Sequence, residues 1–236
     1  MIRPQLHEPL QTEFTCVLFD MDGTLVDSAK GVTESAATAL DMVGAEVPDP
    51  ETLLTFVGPP MIESFRSLPG MTEERAQLAL KHYRKAYADS GAKQAQLFHG
   101  VTEVLNQLGH RLPLAIATSK VEDQALRVAE FLGIDQHFVD ICGASDANGR
   151  ATKRDVIEES LQRLRTKEVN VDSPVMVGDR IYDVQGAAAF GIPTVFAQWG
   201  YGTQEEQAGA AAVACQPHDL IQLLSSDKAT QQSVGQ

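Results

Sequence analysis

Cysteine is scarce in this chain. Cys16, Cys142 and Cys215 are odd in number and form no CxxC, so a disulfide framework is not expected and reduced thiols in a cytoplasmic protein are. Basic charge is in deficit too. Nineteen lysines and arginines face 32 acids, a net charge of −13. That balance disfavours a nucleic-acid polymer as partner and obliges any anionic ligand to find a local positive centre. No apolar run is long enough to cross a bilayer, and the first nine residues carry no apolar leader segment, so no membrane partner is expected. The patterns GxxxxGKS/T, HExxH and GxSxG are absent. The six histidines are scattered. Internal repeats are absent, and the polar tail after Ser225 is expected to fray.

What is present begins with Asp20-Met21-Asp22-Gly23-Thr24-Leu25, directly after the apolar run Thr15-Cys16-Val17-Leu18-Phe19. The run reads as a buried strand that delivers two carboxylates to its C-terminal end, the edge where open α/β sheets bind ligands. Like charges this close repel, and a hard divalent cation such as Mg²⁺ is the simplest compensation. Gly23 and Thr24 allow a sharp turn that turns backbone N–H groups toward an anion.

The remaining strand-like runs are Leu112–Ala117, Phe138–Cys142, Pro174–Val177 and Pro193–Phe196. Helical patterns near 101–109, 121–132, 153–165, 181–190 and 203–209 separate or follow them. Strand–helix alternation predicts an α/β fold, a doubly wound Rossmann-like parallel sheet. Between about Ser28 and Leu97 the pattern changes to helices without a convincing strand. Val32, Ala36, Ala39, Leu40 and Val43 share a helical face that Gly44 would end. Pro60 opens a short helix carrying Met61, Phe65 and Leu68. Thr72 caps a longer one carrying Ala79, Tyr83, Ala86 and Tyr87. The expected organisation is therefore a core of residues 1–27 and 98–236, with a helical cap of residues 28–97 inserted after the first strand, in position to act as a lid.

Four polar clusters follow the apolar runs: Asp20/Asp22, Thr118-Ser119-Lys120, Lys153, and Gly178-Asp179-Arg180-Ile181-Tyr182-Asp183. Singly each has an ordinary explanation. Asp-Met-Asp-Gly is a turn or a calcium-like loop, although position 12 of an EF-hand would be Gly31 rather than Glu. Thr118-Ser119 is a helix cap, Gly178-Asp179 a turn, and Lys153 a solvated lysine. Gly200-Tyr201-Gly202 reads as a turn. Together the four clusters form a phosphoryl-transfer set. One aspartate attacks phosphorus, and another gives a proton to the leaving alcohol and later takes one from water. Asp179 and Asp183 complete an oxygen shell for Mg²⁺. Thr118 and backbone N–H groups hold phosphate oxygens, and Lys153 offsets negative charge. A carboxylate and a phosphate oxygen about 4 Å apart repel by about 4 kcal/mol per unit-charge pair at an effective dielectric near 20, so cationic help is required.

These motifs resemble those of the haloacid dehalogenase superfamily of phosphohydrolases over about Thr15–Leu224. Asp20-Met21-Asp22-Gly23-Thr24, Ala117-Thr118-Ser119, Lys153 and Gly178-Asp179…Asp183 match its four motifs in order, and the insert matches its small helical cap. Phe56-Val57-Gly58-Pro59-Pro60…Ser64-Phe65 and Trp199-Gly200-Tyr201-Gly202 are similar to a bacterial branch with 5′-nucleotidase or phosphoglycolate phosphatase labels. The resemblance implies Asp20 as nucleophile, Asp22 as acid/base, and a Mg²⁺ site from Asp20, Asp22 (through its backbone carbonyl), Asp179 and Asp183. Lys153 joins the catalytic set, and Gly23, Thr118, Ser119 and Arg66 the substrate contacts. Dehalogenases lack the second aspartate, so Asp22 favours a phosphate ester. Phosphonate cleavage in the family uses a cap lysine as a Schiff base; Lys30 lies near the cap entry, so that alternative is weakened rather than excluded. Arg154 stands where many relatives have proline. The implied reaction is Mg²⁺-dependent hydrolysis of a small phosphate monoester, a nucleoside 5′-monophosphate or 2-phosphoglycolate, by a monomer or weak homodimer. A phosphosugar mutase and a non-catalytic phosphate-binding regulator are the alternatives.

Overall fold

The computed structural model describes Leu10 and residues 13–225. The readings of the first nine residues and of the tail after Ser225 fall outside them. The chain runs through β1 (Cys16–Phe19), β2 (Val26–Asp27), α1 (Ala29–Met42), α2 (Pro50–Leu54), α3 (Met61–Arg66), α4 (Glu73–Asp89), β3 (Gln96–Leu97) and α5 (Val101–Gly109). It continues through β4 (Leu114–Val121), α6 (Glu122–Leu132), β5 (Asp140–Ala144), α7 (Lys153–Thr166), β6 (Pro174–Gly178), α8 (Ile181–Ala188), β7 (Thr194–Ala197), β8 (Ala212–Ala214) and α9 (Asp219–Leu223).

Six strands form one sheet in the order β5-β4-β1-β6-β7-β8, each pairing parallel to its neighbour. All four residues of β1 are buried, because a parallel strand covered on both faces is apolar throughout. Alternation divides it. Val17 and Phe19 pack with α5, α6 and α9, whereas Cys16 and Leu18 pack with α7 and α8. The chain leaves β1 toward β4 and β5, then returns to lay β6 on the other side of β1. Strand order thus reverses between β1 and β6, and ligands of such sheets bind at the carboxyl ends there. Burial pushes the Cys16 thiol up to about 11 and the Cys142 thiol up to about 12, so both remain protonated packing groups.

Helices α1–α4 share a second core. Val32, Ala36, Ala39 and Leu40 of α1 meet Phe65 of α3 and Ala79, Tyr83 and Tyr87 of α4. Phe56, Phe65, Tyr83 and Tyr87 form a run of ring contacts with centroids 6.1, 6.3 and 5.8 Å apart. Gly44, at φ 65°, follows the end of α1, and the Thr72 hydroxyl accepts from Arg75 N at the start of α4. α3 ends at Arg66, so Leu68 lies beyond it.

Three expectations need correction. The segment 28–97 is not purely helical: Gln96–Leu97 pairs antiparallel with Val26–Asp27, a ribbon too short to show a period-two pattern. The helix expected at 203–209 is a single 3₁₀ turn, Glu205–Gln207. It is cut short by Gly209 at φ 90° and held by the Glu206 carboxylate, which accepts from Arg180 Nε and Ile181 N. Beyond it, β8 and α9 complete the sheet edge, where the sequence shows no strand–helix signal.

Candidate active site

Asp20 leaves the end of β1 with its backbone N–H on Val177 O at 2.9 Å. The following turn is closed by Met21 O, which accepts from Leu25 N and Val26 N at 3.0 and 2.9 Å, with Gly23 at φ 85°. Asp179 follows β6. Asp183 stands in the first turn of α8, where its Oδ2 accepts from Arg180 N at 3.0 Å. Three chain segments thus bring Asp20, Asp179 and Asp183 together, all buried, each with an oxygen within 4.8 Å of the others. Lys153, the first residue of α7 after the Thr152/Asp155 capping box, reaches them from a fourth. Its Nζ stands 2.8 Å from Asp20 Oδ1 and 2.7 Å from Asp183 Oδ1, and donates to Ala117 O at 3.1 Å.

The electrostatics ask for a cation. Burial raises Asp179 well above the ordinary carboxylate range, and Asp183 and Asp20 raise it further; Tyr201 N–H and Arg180 only partly offset this. Burial also pushes Asp183 up to about 6, against the pull of Lys153. Burial works against the Lys153 charge as well, but Asp183 and Asp20 more than reverse that, so the ammonium is held protonated. One ammonium pairs with two of the three clustered, buried carboxylates. An all-oxygen donor set suits Mg²⁺, and the residues present fit it.

Glycines close in on Asp179. A Cβ at Gly23 or Gly200 would collide with its carboxylate, and one at Gly202 with its backbone carbonyl. Tyr201 N donates to Asp179 Oδ2 at 2.8 Å and Thr24 Oγ1 to Oδ1 at 3.1 Å. The Tyr201 hydroxyl accepts from Ser28 N and Ala29 N at 3.0 and 3.1 Å and donates to Asp27 Oδ1 at 2.7 Å, so this loop ties Asp179 to the start of α1. Trp199 Nε1 donates to Thr24 O at 2.9 Å. The loop read as a simple turn is therefore part of the acid cluster's frame. Gly200→Ala is expected to raise the Mg²⁺ concentration for half-maximal activity by about tenfold or more, because backbone at Gly23 and the Asp179 carboxylate must both give way. A Mg²⁺ titration of activity checks this, and an unchanged midpoint would contradict it.

Asp22 is held apart from the cluster. Its Oδ2 takes Lys120 Nζ at 2.7 Å, while Oδ1 is buried without a hydrogen-bond partner. Lys120 also lies 4.3 Å from the Tyr87 ring centroid, on the cap. Burial opposes its charge, but Asp22, Tyr87 and Tyr83 raise its pKa. Thr118 is buried with Oγ1 accepting from Lys120 N, and the Ser119 hydroxyl is buried and unpartnered. Both lie within β4, which runs on to Val121 with a register shift after Thr118, so they are not a helix cap.

A cavity of about 300 Å³ opens between cap and core, with Asp22, Ser119 and Lys120 on the core side. Gly58–Ile62 and Arg66 form much of the cap side. Arg66 is half-exposed and bidentate to Glu73, at 2.8 and 2.6 Å. Arg180 spans the two parts, donating to Val57 O beside Gly58. Lys120, Tyr87 and Arg180 carry contacts that the sequence did not assign. The partners come from separate segments, and no spacing announces them.

Residues 17–197 match the model of the haloacid dehalogenase-like hydrolase family. This chain belongs to that family. Within it the chain is similar to the tyrosine-protein kinase PtkA of Mycobacterium tuberculosis, 44% identical over 187 residues, covering 79% of this chain. The match spans 62% of that kinase's length. It is also similar to a 5′-nucleotidase of Pseudomonas aeruginosa, 35% identical over 80% of this chain and 85% of that protein. Among solved structures, a predicted phosphatase from Clostridium acetobutylicum superimposes with a TM-score of 0.82 at 32% identity, over 89% of this chain and 97% of that one. Haloacid dehalogenase-like hydrolases thus supply relatives with different named activities, and the choice among them rests on the site.

Proposed function

We propose that this chain is a Mg²⁺-dependent phosphatase that hydrolyses a small phosphate monoester through an aspartyl-phosphate on Asp20. The observation that carries the reading is the division of labour among the acids. Asp20 sits with Asp179, Asp183 and Lys153, whereas Asp22 stands apart at the wall of the cavity.

A carboxylate oxygen of Asp20 forms a bond to phosphorus as the bond to the leaving oxygen breaks, and Asp22 gives that oxygen its proton. Asp22 then takes a proton from water as the water oxygen attacks phosphorus, the Asp20–phosphorus bond breaks and inorganic phosphate leaves. Lys153 holds Asp20 in place and offsets charge on the transferring group. Thr118 and Ser119 are assigned to phosphate oxygens; the Gly23 and Thr24 N–H groups, expected to face the anion, instead donate to Val26 O at 2.9 Å and Met21 O at 3.3 Å, because they close the turn after β1. Asp20, Asp179, Asp183 and the Asp22 carbonyl would hold Mg²⁺, which supplies charge neutralisation at the transferring phosphoryl group.

A nucleoside 5′-monophosphate is the preferred substrate class. The cations lining the cavity are already paired: Arg66 with Glu73, Arg84 with Asp146, and Lys120 with Asp22. Little uncompensated positive charge remains for an anionic leaving group, which places 2-phosphoglycolate second. The similar 5′-nucleotidase agrees with this order. The free cysteines favour a cytoplasmic location, and the proposed enzyme acts there on a small molecule as a monomer or weak homodimer. Phosphate release from a metabolite panel with Mg²⁺ tests the reading; no release from any ester would overturn it. The 44% identity to a tyrosine kinase supports a second reading, phosphoryl transfer from a nucleoside triphosphate to a protein tyrosine. Appearance of phosphotyrosine in place of inorganic phosphate would select it, and an isomerised sugar phosphate would instead indicate a mutase.

The cap wall should select the leaving group. Met61→Ala or Arg66→Ala is expected to change kcat/KM ratios among phosphate esters by about tenfold, near 1.4 kcal/mol. Activity on a small aryl phosphate should change much less. An equal fall on every ester would make these residues supports of folding or closure.

A further inference from the structure

We propose that Lys120 is a positioning residue for Asp22: it fixes Asp22 Oδ2, leaves Oδ1 as the oxygen that exchanges the proton, and couples that arrangement to the cap through Tyr87. The inference rests on the phosphatase reading and adds a residue to it. The Lys120 ammonium is buried and stands 2.7 Å from Asp22 Oδ2. The other oxygen of the same carboxylate is buried with no hydrogen-bond partner, at a residue that lines the cavity. A carboxylate free to rotate would present either oxygen; a charge-assisted bond of this length, made from within the protein, removes that freedom. The same ammonium lies over the Tyr87 ring, 4.3 Å from its centroid. Tyr87 belongs to α4 and is fully buried in the cap core, so the cation joins cap to acid through two direct contacts. A cation over an aromatic face is attracted to it. Lys120 is therefore held from the cap side by Tyr87 and from the core side by Asp22, and the proton donor is aligned only when cap and core are together.

A group that only neutralised charge would affect all esters alike. A group that aligns the proton donor matters in proportion to the need of the leaving group for a proton. An alkoxide needs one to depart; a nitrophenolate does not. kcat/KM covers the steps up to leaving-group departure, so the later hydrolysis of the aspartyl-phosphate, common to all substrates, does not enter it. The experiment compares kcat/KM for a nucleoside 5′-monophosphate and for p-nitrophenyl phosphate, with Mg²⁺, in wild type, Lys120→Met, Lys120→Arg, Tyr87→Leu and Asp22→Asn. Lys120→Met is expected to lose about 10²-fold on the alkyl ester, the low end of what a positioned acid contributes, and several-fold at most on the aryl ester. Asp22→Asn should show the same split, more strongly. With either ester kcat should fall, because Asp22 must still take a proton from water. Lys120→Arg should recover much of the alkyl activity, and Tyr87→Leu, whose substitution lies in the cap, should show a smaller split of the same sign. Equal losses on both esters in Lys120→Met, or no loss, would overturn the proposal while leaving the phosphatase reading intact. If that variant does not fold, Tyr87→Leu is read in its place, and equal losses on both esters, or no loss, would overturn the proposal in the same way. Absence of phosphate release by the wild type from any ester would instead remove the reading on which the proposal rests, and the proposal with it.

Discussion

Asp20→Asn is expected to lower turnover by about 10³-fold or more, the scale on which removal of a group that bonds to the reacting atom acts. The amide keeps the shape of the carboxylate but is a far weaker nucleophile. The surroundings should survive the change. Lys153 retains Asp183 Oδ1 at 2.7 Å and Ala117 O at 3.1 Å, and loss of one of three buried like charges relieves Asp179 and Asp183. The variant should therefore melt within a few degrees of the wild type. Phosphate release over time, with a thermal melt as control, checks the prediction, and the hydroxylamine-labile phosphoenzyme formed by the wild type should be missing. Wild-type rates from Asp20→Asn would remove the assigned mechanism.

Chelation is expected to abolish activity, and Mg²⁺ to restore it. Ca²⁺ should bind but support little turnover, because its larger and more flexible coordination disturbs in-line attack. The same ion should stabilise the fold, since Asp20, Asp179 and Asp183 lie buried together and the Lys153 ammonium pairs with only two of them. At a Mg²⁺ concentration about 100 times its Kd, binding adds about 2.7 kcal/mol. For a chain of this size that corresponds to a rise in Tm of about 5–10 °C. Asp179→Ala should lose most of this rise and need far more Mg²⁺ for activity. A melt indifferent to Mg²⁺, with full activity in chelator, would refute the metal role of these acids.

The core strands and helices were legible because their signals are local. A four-residue apolar run buried on both faces must be hydrophobic along its whole length, as Cys16–Phe19 is. The amphipathic α1 and the Thr72 cap of α4 likewise carry their own signatures. The elements that escaped are short or irregular: the ribbon of Val26–Asp27 with Gln96–Leu97, the 3₁₀ turn near Glu206, and the β8–α9 edge. Each has too few residues for a period to emerge and is held by partners distant in sequence.

The sequence alone determined which groups would stand at the C-terminal edge of the sheet: Asp20 and Asp22 after β1, Thr118 and Ser119 in β4, Lys153 opening α7, and Asp179 and Asp183 after β6. A strand end is a fixed place, and a parallel sheet gathers all such places on one side. Only the tertiary structure decided how those groups divide. Lys153 faces Asp20 and Asp183, whereas Lys120 crosses to Asp22 and Tyr87. Arg66 is committed to Glu73, and Gly200 and Gly202 close around Asp179. These choices turn on distances of a few ångströms between segments far apart in the chain, such as Gly23 and Gly200. Packing sets such distances, and no run of neighbouring residues encodes them.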